Sequence, residues 1–174
     1  MDLDALNGMN ADAFTATLGG VFENSPWVAS SAWSARPFDT VTVLHAAMVA
    51  VVKNAAPAQQ LALLRAHPEL AGREARAGEM TDASEAEQAG AGLDRLTGAE
   101  LARIEVLNRA YRTKFGHPFI IAVRNHTKHG IFETFEQRLS NDAAAELRTA
   151  LNEVFTITRL RLDQMFAAHP ERSA

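Results

Sequence analysis

The sequence predicts an all-α protein, a single domain over residues 1–174 built as a bundle of about eight or nine helices with one short extended connector. Three observations lead there. Alanine is abundant and clusters of valine and isoleucine are few, which favours helix over sheet. Apolar residues recur at three- and four-residue spacings between capping residues, prolines and glycines. The chain holds a single strand-like run, and one short strand has no partner to pair with.

The elements follow in order. Asn10 is placed to cap a helix through about Glu23, with Phe14, Leu18, Val21 and Phe22 on one side. Ser25 and Pro26 read as a cap with proline at the first helical position, opening a short helix around Trp27 to Trp33. Asp39 is the expected cap of an apolar helix from Thr40 to Lys53, and Pro57 opens another that runs to Arg65. That helix must stop at His67-Pro68, because proline drives the residue before it away from the α conformation. Glu69 to Met80, with two glycines and mixed charges, reads as a loop. Thr81 or Asp82 starts the next helix, where Asp82 and Glu85 have capping-box spacing.

Thr97-Gly98-Ala99-Glu100 is a second capping box. It opens a helix with Leu101, Ile104, Leu107, Tyr111 and Phe115 on one stripe, ended by Gly116. Phe119-Ile120-Ile121-Ala122-Val123 is the extended, buried connector. A helix with Ile131, Phe132, Phe135 and Leu139 begins around Thr127, and Ser140-Asn141-Asp142 separates it from a long last helix toward Phe166.

Composition narrows the function. The hydrophobic share is 47%, the charged share 22% and the net charge −4, which suits a globular domain and argues against a general nucleic-acid partner. The absence of cysteine removes disulfides, thiolate nucleophiles and cysteine-ligated metals together. The N-terminus is acidic rather than that of a secretory signal, and no apolar run approaches the roughly 20 residues of a membrane helix. The expectation is a cytoplasmic protein with no membrane partner.

Four groups of residues could carry chemistry. Leu147, Leu151, Val154, Thr158 and Met165 form one narrow stripe on the last helix, and Arg161 falls inside it. A guanidinium there must find anions or carbonyls, or else cover apolar surface with its stem while its head reaches water. Ser84, Glu87 and Gln88 share one helix face and could present a hydroxyl, a carboxylate and an amide to one ligand. A solvated polar face is the simpler account of that trio. His67, before a proline at a helix end, suits a general acid or base projecting into a cleft, though a histidine beside proline also serves structure alone. His126, His129 and Glu133 have a spacing that could ligate zinc, but the helix only starts there and no HExxH pattern occurs, so no metal site is expected. Glycine-rich phosphate loops and nucleophile elbows are absent.

Together these pieces resemble the 2-oxo-4-hydroxy-4-carboxy-5-ureidoimidazoline (OHCU) decarboxylase family from Leu6 to about Phe166. The resemblance rests on Phe22-Glu23-Asn24-Ser25-Pro26-Trp27, then His67-Pro68-Glu69-Leu70-Ala71-Gly72 and Ser84-Glu85-Ala86-Glu87-Gln88-Ala89-Gly90. Leu107-Asn108-x-x-Tyr111 and Lys114-Phe115-Gly116-His117-Pro118-Phe119-Ile120-Ile121 complete the set. His117 stands where relatives often place an apolar or aromatic residue.

The resemblance implies a cofactor-independent carboxy-lyase of urate breakdown that makes (S)-allantoin, works without a metal and usually forms a homodimer. It implies His67 as the proton donor with Glu87 beside it. It also implies substrate contacts from Pro68, Ser84, Gln88, Arg161 and the backbone of Phe119, Ile120, Ile121, Ala122 and Val123. The competing expectation is a non-catalytic helical module that binds a small anionic or ureide ligand.

Overall fold

A computed structural model of the chain describes residues 1–72, 75 and 77–167. Among the described residues there are nine α-helices, three short 3₁₀ turns and no strand, so the protein is all-α as the sequence predicts. The helices are α1 (Leu3–Asn7), α2 (Ala11–Leu18), α3 (Trp27–Ala32), α4 (Val41–Asn54) and α5 (Pro57–Arg65). They continue with α6 (Asp82–Gly90), α7 (Gly98–Phe115), α8 (Lys128–Arg138) and α9 (Ala143–Ala167). The loop expected over 69–80 includes residues 73, 74 and 76, which lie outside the described residues. No single described helix is long and apolar enough to cross a membrane.

The chain gathers into two compact units, Met1–Leu63 with the chain from Phe155 onward, and Leu64–Val154. In the first, α3 packs against α2 and α4. Its small residues Ala29 and Ala32 are buried and let neighbouring backbones approach. Phe14, Leu18, Phe22, Phe38, Leu44 and Met48 are also buried there.

Three sequence expectations are corrected in this unit. Helix α2 stops at Leu18, because Gly19 and Gly20 turn the chain: a Cβ at Gly19 would lie 2.6 Å from the Thr15 carbonyl and 3.2 Å from Pro26 Cβ. Val21 and Phe22 are still buried beyond the helix end. The α4 cap is Thr40 rather than Asp39, its hydroxyl accepting the Val43 N–H at 3.2 Å. Ser25 contributes its backbone carbonyl, not its hydroxyl, to the start of α3, accepting from Val28 N–H at 3.1 Å. The sequence reading also passed over α1, capped by Asp2.

The second unit is built on aromatic packing. Tyr111 stands edge-on to Phe119 and Phe135, and those two rings stack with centroids 3.9 Å apart. Leu70, Leu93, Ile104, Leu107, Ile121, Ile131 and Phe132 complete this core. Its helix ends follow the sequence signals closely. Thr97 and Glu100 form the reciprocal capping box, and Gly116 closes α7 at φ 75°. The Lys128 ammonium on Glu100, at 2.7 Å, with the Thr97 cap bonds, pulls that carboxyl down to about 2.

Beneath the aromatic cluster lies a buried ionic network. Arg138 Nε donates to Glu146 Oε1 at 2.9 Å, Tyr111 donates its hydroxyl to the same oxygen, and Asn141 donates to Glu146 Oε2 at 2.7 Å. Glu146 is fully buried, so each of these donors offsets the desolvation of its charge. Burial and the carboxylate push the Tyr111 phenol well above its ordinary range, which keeps it a donor.

Two imidazoles are held neutral by burial, His45 in the first unit and His117 in the second, where His117 Nδ1 meets the Pro118 carbonyl at 2.9 Å. Their folded pKa values lie below the ordinary 6.5, so below that pH the unfolded chain binds the more protons. The stability these groups contribute is complete above pH 6.5 and is lost as pH falls toward the folded values. Urea midpoints should therefore fall between about pH 7.5 and 5.5, and His117→Phe should flatten that decline. A midpoint unchanged by acid in the parent protein would contradict the assignment.

Candidate active site

The His67 bend is a short turn held from outside. Helix α5 ends at Arg65, His67 donates its N–H to Leu64 O at 3.2 Å, and Gly72 N–H closes back on Glu69 O at 3.2 Å. Ala71 occupies the left-handed region at φ 47°, a conformation costing an alanine roughly 1–2 kcal/mol. Gly72 must be glycine, since a Cβ there would lie 2.6 Å from Glu69 Cβ. Three side chains grip the turn. Gln88 accepts Ala71 N–H on Oε1 at 2.9 Å and donates from Nε2 to Glu69 O at 3.3 Å. Asn108 Nδ2 donates to Leu70 O at 2.9 Å, and Arg112, one turn further along α7, pairs with the Glu69 carboxylate at 3.0 Å. His67 itself is buried, with 8% of its surface exposed.

Helix α6 supplies the expected polar trio. Thr81 caps it, the Thr81 hydroxyl accepting Ser84 N–H at 3.4 Å. Ser84, Glu87 and Gln88 are all buried, so this face points inward and the solvated-face account does not hold. Glu87 Oε1 lies 3.9 Å from Arg124 Nη2, which ties α6 to the 3₁₀ turn Val123–Asn125. The same helix thus reaches the His67 loop through Gln88 and the end of the connector through Glu87.

The connector is buried along its whole length, from Phe119 to Val123. Its first four residues have no regular structure, and Val123 already belongs to the turn. Arg138 Nη1 donates to Ile120 O at 2.7 Å, and its guanidinium lies 4.5 Å from the Phe119 ring centroid. Glu153 Oε2 accepts Ala122 N–H at 2.8 Å. The carbonyls of Ala122 and Val123 accept from Asn125 and His126. Ile120, Ile121 and Val123 donate their N–H groups to no acceptor among the described residues. Buried amides of that kind are rare and suit a bound carbonyl.

Arg161 belongs to the first unit. Its Nη1 donates to Glu23 Oε2 at 2.8 Å and reaches the carbonyls of Val21 and Gly20 at 3.4 and 3.5 Å. The anion and carbonyls demanded by its place in an apolar stripe are therefore present, and its head is buried rather than in water. A cleft of about 250 Å³ in the second unit is lined by Arg65, Arg112, Gly116, His117 and Pro118. Arg65 there is engaged by the Gly116 carbonyl at 2.8 Å and Arg112 by Glu69. His129 pairs with Glu133 on an exposed face, and among the described residues no three potential ligands gather as a metal site.

Sequence reasoning missed Asn108, Arg124, Arg138 and Glu153. Arg138 carried a legible signal: it sits three and seven residues beyond Phe135 and Ile131, on their apolar face, like Arg161 on its own stripe.

Fold and site define a helical protein whose second unit joins an imidazole-bearing loop, a carboxylate-bearing helix and a backbone of spare amides. Residues 7–163 match the family model described as OHCU decarboxylase, and the chain belongs to that family. It is 44% identical to the 2-oxo-4-hydroxy-4-carboxy-5-ureidoimidazoline decarboxylase of Haloferax volcanii, over 97% of this chain and 98% of that protein. Its identity to the protein of the same name from Halalkalicoccus jeotgali is 43%, over 95% of this chain and 92% of that one. A crystal structure of (S)-allantoin synthase superposes with a TM-score of 0.76 at 32% identity; it covers 94% of this chain, which spans 54% of that one.

Glu153→Ala should leave Ala122 N–H without its acceptor, at a cost of about 1–3 kcal/mol in urea unfolding and with faster exchange of that amide hydrogen. Glu153→Gln keeps an acceptor and should restore most of the protection. Equal exchange in all three proteins would remove Glu153 from the support of the connector.

Proposed function

We propose that this protein decarboxylates 2-oxo-4-hydroxy-4-carboxy-5-ureidoimidazoline and releases (S)-allantoin. Family membership across nearly the whole chain supports the substrate. The observation that carries the site is the double reach of α6, through Gln88 to the His67 loop and through Glu87 to the turn at Arg124.

In this substrate the carboxylate and a hydroxyl share ring carbon 4, beside ring carbon 5 with its ureido group and C=N bond. The bond from carbon 4 to the carboxylate breaks, CO2 departs, and the electron pair becomes a bond between carbons 4 and 5. The imine electrons move to nitrogen, which takes up a proton. The resulting enol is then protonated on one face of carbon 5 as its hydroxyl loses a proton to become the carbonyl of allantoin. The substrate thus carries its own electron sink, and the chemistry asks the protein for proton transfer and orientation.

His67 handles the proton at the ring, and Glu87 orients it or takes the hydroxyl proton. The Pro68 turn and the Ser84 hydroxyl shape the pocket beside them. The spare N–H groups of Ile120, Ile121 and Val123 donate to the ring and ureido carbonyls, which holds one face toward the donor. Gln88 serves the site by holding the His67 loop. We also propose that the chain works as a homodimer in the cytoplasm without nucleic-acid or membrane partners, supported by the family resemblance and the net charge of −4.

The test is freshly generated substrate, with allantoin followed by circular dichroism against the spontaneous background. The protein should accelerate formation of the S enantiomer, and added chelator should leave the rate unchanged. His67→Asn should lose roughly 10²–10⁴-fold in turnover while the fold survives. Near-full activity in that variant would remove His67 from the mechanism. Tight allantoin binding without acceleration would replace the enzyme with a binding module.

A further inference from the structure

We propose that Asn108 is a positioning residue of the decarboxylase site, its amide fixing the backbone of residues 69–71 and so setting where the His67 imidazole stands. The inference rests on the functional reading above.

Asn108 lies inside α7, on the helix face that carries Ile104, Leu107 and Tyr111 into the core. It is only 5% exposed. An amide is poorly suited to that environment, and the helix interior disfavours asparagine besides. Its Oδ1 is buried and has no hydrogen-bond partner among the described residues. Leu70 presents a carbonyl, so Nδ2 must face it and Oδ1 is turned away from it. Among the described residues, the single polar bond the side chain makes is therefore to the turn that follows His67.

That turn needs such a grip. Ala71 is held at φ 47°, which an alanine does not adopt on its own, and Gly72 closes tightly over Glu69. Gln88 takes Glu69 O and Ala71 N–H, and Asn108 takes Leu70 O, so the two amides fasten three consecutive residues. Pro68 leaves little freedom between this turn and His67. A rotation of the Leu70 peptide therefore passes directly to the imidazole. A shift of about 1 Å in a reacting group can cost on the order of 100-fold in rate.

The experiment uses the full chain and Asn108→Leu, with Asn108→Ser taken in its place if far-ultraviolet circular dichroism shows the leucine variant unfolded. The expected result is a fall of roughly 10–100-fold in kcat with KM within about threefold of the parent, and a lower enantiomeric excess of (S)-allantoin. A merely structural role predicts a lower melting temperature with kcat unchanged well below it, and that outcome overturns the proposal. A raised KM with kcat intact also overturns it, since it would place Asn108 in substrate binding instead. A parent protein that does not accelerate allantoin formation sinks the functional reading itself, whereas an active parent with an equally active variant sinks the role of Asn108 alone.

Discussion

Residues 69–71 turn with their backbone groups facing the protein interior rather than water, and a buried peptide group left unpaired costs about 1–3 kcal/mol. The Gln88 side chain answers two of those groups at once, accepting from Ala71 and donating to Glu69. Because Gln88 is the neighbour of Glu87 on one helix, satisfying the loop also fixes the carboxylate relative to the loop that bears His67. Two stretches some twenty positions apart in sequence are tied together through a single amide. Without it the left-handed Ala71 would relax, and the imidazole would lose its defined place.

The connector obeys the same constraint with the opposite outcome. An extended segment without strand partners exposes a donor and an acceptor at every residue, and burial demands that they be answered. Arg138 answers Ile120 O and Glu153 answers Ala122 N–H, while the aromatic stack of Phe119 on Phe135 anchors its start. The N–H groups of Ile120, Ile121 and Val123 meet no acceptor among the described residues, all within one short buried run. Donors of this kind are what the proposed carbonyl-rich substrate would use.

Much of this could be read in the sequence because it depends on local rules. The Thr97 box, the Gly116 stop, the Pro57–Arg65 helix and the break at His67-Pro68 all involve residues within a turn of one another. The inward face of Ser84, Glu87 and Gln88 could not be read that way, since polarity predicts solvent and only distant partners overrule it. Arg161 shows both sides. Its helical stripe asked for anions or carbonyls, or else a head reaching water, but the identity of Glu23, 138 positions earlier, depends on the chain folding back. Asn108 was visible as a polar residue on an apolar stripe, yet its partner is a backbone carbonyl, and no side-chain pattern encodes that. The Asp39 cap failed for a smaller reason: Thr40 offers an equally good hydroxyl one residue later.

The charges around the second unit's site also bear on the reaction. Arg112 is balanced by Glu69, Arg124 by Glu87 and Arg138 by Glu146. Beside these pairs stand the backbone N–H groups of Ile120, Ile121 and Val123, which donate to no acceptor among the described residues. For the decarboxylation proposed above, paired guanidinium groups suit loss of CO2. A free guanidinium clasping the departing carboxylate would stabilise the ground state, whose charge leaves that group as the bond breaks, and the barrier would rise accordingly. Amide dipoles aimed at the ring and ureido carbonyls, as proposed above, would act instead on the part of the molecule that receives the electrons, where binding lowers the barrier. Under the proposed function, pairing these three arginines with acids does more than keep their charges tolerable; it leaves the connector amides to act on the transition state.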